Sequence, residues 1–238
     1  REALMNGMAL EREDRGNPFK LGFIGSSDNH NSSGSYEEDN YFGTTPLTGI
    51  PEVRASIPLN GVYGDMRTVQ FGASGLAGVW AEENTRAAIF NALRRKETFG
   101  TSGNRIKLRF FGGFDLSSID LNSEDLAKQA YGKGVPMGSD LMGQGTKAPS
   151  FIVWAQRDGY GAPLQRIQII KGWYDHGYRK ETREKIYDVE CSDGLEVDPT
   201  THRCPNNGAE VDLTNCSISK DKGASELKTV WTDPDFEP

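Results

Sequence analysis

The sequence predicts a fold in two parts: an α/β segment over residues 1–103, reading as the last portion of an α/β barrel, and an antiparallel β-sandwich over 104–238. Three observations carry this. An apolar run, Phe23-Ile24-Gly25, stops at small residues and then offers Asp28 and His30. A short apolar run at Ser74–Ala81 leads into a helical pattern that ends in Arg94-Arg95-Lys96. Beyond residue 104, short apolar runs recur between turn signals with almost no helical periodicity, the pattern of stacked antiparallel strands.

The chain opens on Glu2-Ala3-Leu4-Met5, which reads as the end of a helix with Gly7 or Gly16 as its stop. With Arg1 in place of an initiator methionine and an abrupt end at Pro238, the expectation is the C-terminal part of a larger protein whose N-terminal part completes the barrel. Residues 17 to 27 read as a strand. In β-conformation, residues two apart share a face, so Asp28 and His30 can reach one divalent ion while Asn29 turns away. Oxygen plus imidazole nitrogen suits a borderline cation, whose bound water is a usable nucleophile near neutral pH. The plainer alternative is a turn in which Asp28 caps the loop and His30 is a solvated neighbour. The other histidines, His176 and His202, lie far downstream. A long Gly/Ser/Asn/Thr/Tyr-rich segment from Asn31 to about Ala73 is expected to form a lid or wall of the active site.

The helix after Ala81 is capped by Asn84 or Thr85, with Ile89, Phe90 and Leu93 as its core stripe and basic residues in its last turn, where the dipole favours them. Glu82, Glu83 and Arg86 fall at the strand-to-helix junction, the catalytic rim of α/β barrels; plain capping and ion pairing is the competing role. Arg105–Phe111 alternates charged and apolar residues and reads as a half-buried strand. A short helix is expected from Ser123 to Tyr131, stopped by Gly132 and Gly134, and then strands at Phe151–Ala155, Leu164–Ile170, Lys185–Val189, Val211–Leu213 and Leu227–Trp231.

A net charge of -7 and dispersed basic residues exclude the footprint of a nucleic-acid binder. No apolar run is long enough to span a bilayer, so membrane insertion is not expected. Cys191, Cys204 and Cys216 are spaced 13 and 12 apart, which is no paired zinc knuckle. One disulfide with a third cysteine left over would place the protein in an oxidising compartment, the periplasm or cell exterior; three reduced thiols is the alternative.

Several blocks together resemble a bacterial domain-of-unknown-function family that looks like a branch of the PHP (polymerase and histidinol phosphatase) metal-dependent hydrolases. They are Gly25–Asn31, Ser74–Arg86, Pro149–Ala155, Arg166–Trp173, Cys191–Gly194 and Trp231–Phe236. The resemblance implies a distorted α/β barrel with two or three divalent ions, zinc, manganese or iron, hydrolysing phosphoesters or related esters of a small-molecule substrate. The final Asp-x-His ligand motif maps onto Asp28 and His30, while the early His-x-His motif has no counterpart, so residues absent from this chain would complete the cluster. Arg86 and Arg105 are candidates for gripping an anionic substrate, and Asn31 and Glu83 for orienting the ligands. The rival expectation is a non-catalytic module whose sandwich, through Trp154, Trp173 and Tyr174, binds a glycan or a protein.

Overall fold

A computed structural model describes residues 1–30, the paired backbone at 62–63 and 66–67, and residues 75–175, 181–212, 214–215 and 217–237. Its architecture is α+β and mostly β, built from small antiparallel sheets. Helix α1 spans Glu2–Arg12 and runs straight through Gly7. Gly7 is no stop: it is buried against Asn17, whose Oδ1 would lie 2.1 Å from an added Cβ. The chain turns only after the helix, with Asp14 and Gly16 at positive φ. Strands β1 (Val62–Tyr63) and β2 (Met66–Arg67) pair antiparallel.

Strand β3 (Ala77–Val79), helix α2 (Arg86–Arg94) and strand β4 (Thr98–Gly100) follow. Thr85 caps α2, accepting from the Ala88 amide at 3.3 Å. The nine-residue helix returns the chain so that β4 pairs antiparallel with β3, Gly78 opposite Phe99. A barrel of parallel strands needs the opposite sense, and the described residues close no barrel. The expected strand at 17–27 is also absent, those residues running as irregular chain. In α2 only Ala92 is fully buried; of the expected core stripe Ile89 is half-buried, whereas Phe90 and Leu93 stand 56% and 46% exposed.

The centre of the molecule is a four-stranded sheet in the order β12-β7-β5-β6, formed by Glu226–Thr232, Ser150–Gln156, Lys107–Gly113 and Gly134–Pro136. On one face Phe111 and Ile152 pack with Leu116 and Ile119 from a 3-10 turn and its exit, and with Leu126 and Ala130 of helix α3 (Leu126–Lys133). Helix α3 starts three residues later than the Ser123 pattern suggests, because residues 123–125 are spent in a turn closed by the Ser123 hydroxyl. The opposite face carries Leu108, Phe110, Val153, Ala155 and Leu227. Those side chains pack on Ile167, Ile169 and Val189 of the hairpin β8–β9, Arg166–Tyr174 and Thr182–Cys191. A small pair, β10 (Val211–Asp212) and β11 (Ser217–Ile218), lies to the side.

A disulfide joins Cys191 to Cys204 and closes the loop that follows β9; Cys216 lies outside the described residues. Beneath that loop the Asp188 carboxylate, with its side chain only 1% exposed, accepts from Gln168 Nε2 at 2.6 Å and from the Cys204 amide at 2.8 Å. Arg203 and Arg166 approach it at 3.3 and 3.7 Å. Burial alone would raise the Asp188 pKa, but these donors together hold it below the usual carboxylate range.

Two outcomes are expected. Ile152→Ala removes a fully buried side chain from the sheet and lowers stability by about 2–5 kcal/mol in denaturant titrations. Because the folded-state pKa of Asp188 is depressed, its contribution is present above the ordinary Asp range, near pH 4, and is lost as pH falls through the folded value. Asp188→Asn should therefore flatten the acid limb of thermal stability plotted against pH, leaving the neutral-to-alkaline shape unchanged.

Candidate functional site

Three glycines set the position of the Asp28–His30 segment. A Cβ on Gly25 would lie 2.5 Å from the Thr101 carbonyl and 2.6 Å from that of Leu76. On Gly75 it would meet the Ser26 carbonyl at 2.5 Å, and on Gly100 the Gly25 nitrogen at 2.6 Å. Three backbones thus touch where only glycine fits. The Thr101 amide donates to the Leu76 carbonyl at 3.0 Å, and the Thr101 hydroxyl accepts from the Leu76 amide at 3.0 Å, so the end of the β3–β4 pair is locked beside them.

Past this node the chain makes a tight turn rather than a strand edge. Asp28 has φ 54°, in the left-handed region that Asp tolerates better than most residues. The Ser26 and Ser27 hydroxyls accept from the Asp28 and Asn29 amides, each at 3.3 Å. The alternation that would have put Asp28 and His30 on one face of a strand is therefore broken. What unites them is the turn itself: His30 Nδ1 lies 2.7 Å from the Asp28 carbonyl oxygen. A carbonyl only accepts, so Nδ1 carries a proton here, and in the neutral imidazole Nε2 is the nitrogen left with a lone pair. Both side chains are exposed.

The remaining predicted residues are not gathered around this turn. Asn31 and His176 lie outside the described residues, as does nearly all of the expected lid from Asn31 to Ala73. Glu83 and Arg86 are exposed at the start of α2, and no hydrogen bond or ion pair among the described residues ties either to the turn. Glu82 pairs with Arg95 at 3.1 Å, the plain ion-pairing role. The Arg105 amide donates to Asp158 at 2.8 Å and its Nε is buried, which suits a structural position better than a grip on substrate. His202 packs its ring 5.0 Å from that of Tyr187, away from Asp28. Among the described residues, no group of three or more His, Cys, Asp or Glu side chains converges as a metal site.

Beside the node, a cleft of about 380 Å³ is lined by Gly100–Asn104, Ile106 and Leu108. A second cluster escaped the sequence reading altogether. Glu97, 2% exposed, takes Arg95 Nε at 2.8 Å and the Tyr131 hydroxyl. Burial first, and then Glu97, push the Tyr131 pKa up, so the phenol stays protonated. Arg109 donates to that phenol at 3.3 Å while its guanidinium lies 3.6 Å from the centre of the Trp80 ring. Glu97 is an acidic residue just after a helix, a place that sequence patterns assign to solvent; only the tertiary contacts bury it.

These features define an antiparallel, mostly β chain with an Asp–His turn held on a glycine node. The chain belongs to the family described as a protein of unknown function, DUF3604, whose model matches residues 1–238. No curated protein and no solved structure matches it. Among the described residues, no helix is long and apolar enough to cross a membrane.

Gly25→Ala should force the node apart and cost about 1–3 kcal/mol. Amide exchange resolved by mass spectrometry is expected to quicken over residues 22–30 and 75–77 and to stay unchanged over β7.

Proposed function

We propose that this chain contributes to a metal-dependent hydrolase acting on phosphoesters or related ester bonds, with Asp28 and His30 as two of the metal ligands. The observation that carries the reading is the His30 Nδ1 contact with the Asp28 carbonyl at 2.7 Å. A backbone acceptor on one ring nitrogen is how metal-binding imidazoles are oriented, and it points the lone pair of Nε2 outward. The neighbouring carboxylate is exposed on the same turn and supplies oxygen. The donor set fits zinc, manganese or iron but supplies only two ligands; the others would come from outside the described residues, including the N-terminal part of a longer protein.

A divalent ion held there would supply an activated water and stabilise charge on the leaving group. The protein's own part is to fix the imidazole tautomer, to keep the turn rigid through Gly25, Gly75 and Gly100, and to offer cations to an anionic substrate. Arg86 is the better-placed candidate for the last task, being exposed and without an ion pair among the described residues. The outward-facing Leu21, Phe23, Ile24, Phe90 and Leu93 form an apolar surface beside the turn that a further element could cover. The Cys191–Cys204 bridge supports a periplasmic or secreted location.

The test uses full-length protein. Asp28→Asn and His30→Ala should each lower bound metal by about 10-fold or more in elemental analysis. Chelator-sensitive turnover of a fluorogenic phosphoester should fall in parallel; undiminished metal content in both variants would refute the assignment.

A further inference from the structure

The four-stranded sheet carries a cationic and aromatic surface on the same face as the Phe111–Ile152 core but toward its other end. The register places Arg109, Trp154 and Lys228 side by side across three strands, and Lys107, Gln156 and Glu226 side by side in the next row. At the usual strand spacing each row covers roughly 10 Å. Trp80 closes the row beyond Arg109, its ring beneath the guanidinium. Trp80, Lys107, Arg109, Trp154 and Gln156 together line a shallow depression.

The polar edges of both indoles are already used. Trp80 Nε1 donates to the Leu108 carbonyl at 2.8 Å, and Trp154 Nε1 to Glu226 Oε1 at 2.7 Å. With the Trp80 face covered by the Arg109 guanidinium, a ligand meets the half-buried Trp154 ring, the cations and the Gln156–Glu226 pair, not free indole N–H. Glu226 also takes Gln156 Nε2 at 3.1 Å and Lys228 Nζ at 3.1 Å. Burial would raise its pKa, but those donors hold it below the usual range, so it is a carboxylate at neutral pH. Lys107 and Arg109 make no direct ion pair among the described residues, on a chain of net charge -7.

We propose that this surface binds an acidic saccharide, a uronate-bearing glycan segment. A sugar C–H face packs on the Trp154 ring, the ligand carboxylate pairs with Arg109 and Lys107, and Glu226 with Gln156 takes hydroxyl groups. Glu226 separates this from a nucleic-acid site, since a fixed carboxylate beside a phosphate chain repels it while it accepts well from hydroxyls. The surface is separate from the Asp28–His30 turn and stands whether or not that turn binds metal.

The experiment is calorimetric titration of the whole chain with a galacturonate hexamer, its fully methyl-esterified counterpart, hexaglutamate and a short single-stranded oligonucleotide, at about 0.15 M ionic strength. The acidic hexamer should bind at least about 10-fold more tightly than the ester. Trp154→Ala, Arg109→Gln and Lys107→Gln should each weaken it, and Lys220→Gln should not. Lys107 is exposed, so its variant keeps the test decisive if Trp154→Ala misfolds by circular dichroism. Absence of binding by the unsubstituted chain, equal affinity for the ester, or tighter binding of hexaglutamate or the oligonucleotide would each overturn the proposal.

Discussion

Strand β7 is the constraint on which the rest of the molecule rests. It is paired along its whole length on both sides, with β5 through Lys107↔Gln156 to Gly113↔Ser150 and with β12 through Glu226↔Gln156 to Thr232↔Ser150. Alternate residues therefore serve two different layers. Ile152 faces the helical side, Val153 and Ala155 face the β8–β9 hairpin, and Trp154 and Gln156 are delivered to the outer polar rows. A slip of one residue would put Trp154 into an apolar core and Ile152 against the hairpin layer, so both cores select the same register. The aromatic and cationic surface is in this sense a by-product of core packing: its geometry is as rigid as the sheet that carries it.

How much of this was legible in the sequence follows from period and range. The five downstream runs each became a strand, since alternation with flanking turn residues is a local signal: Leu227–Trp231 grew by one residue at each end, and Lys185–Val189 proved to be the middle of Thr182–Cys191. The disulfide also came out of the cluster of three cysteines, though spacing alone left the pairing open. The N-terminal part misled for a physical reason. Leu21, Phe23, Ile24, Phe90 and Leu93 are apolar, and apolar residues in periodic runs are read as core; here they stand exposed. Strand sense was equally beyond local patterning, because β3 followed by a helix and β4 reads alike whether the returning strand is parallel or antiparallel.

The candidate site shows the same division. The spacing put Asp28 and His30 on one face of a strand; the structure instead gives a contact from His30 Nδ1 to the Asp28 backbone carbonyl, with no contact between the two side chains. The glycine node was invisible because Gly25, Gly75 and Gly100 are each ordinary turn residues locally, and their meaning lies in close contact between distant segments. Glu97 and Tyr131, 34 residues apart, form a pair for which the sequence offers no periodic signal at all.

The left-handed turn at Asp28 changes what the two side chains can do. In an extended strand, the imidazole and carboxylate would lie on one face with the intervening carbonyls pointing sideways into a ladder, and nothing would choose the histidine tautomer. With φ at 54°, the Asp28 carbonyl is brought back under the imidazole and fixes the proton on Nδ1. Such a turn needs support, because a positive φ at a non-glycine residue is disfavoured and a free loop would relax it. The Ser26 and Ser27 hydroxyls satisfy the amides of the turn, and the close-packed glycines hold its base against Leu76 and Thr101. The positive φ at Asp28 is therefore held from two sides at once, by local hydroxyl contacts within the turn and by backbone packing from segments about 50 and 75 residues away.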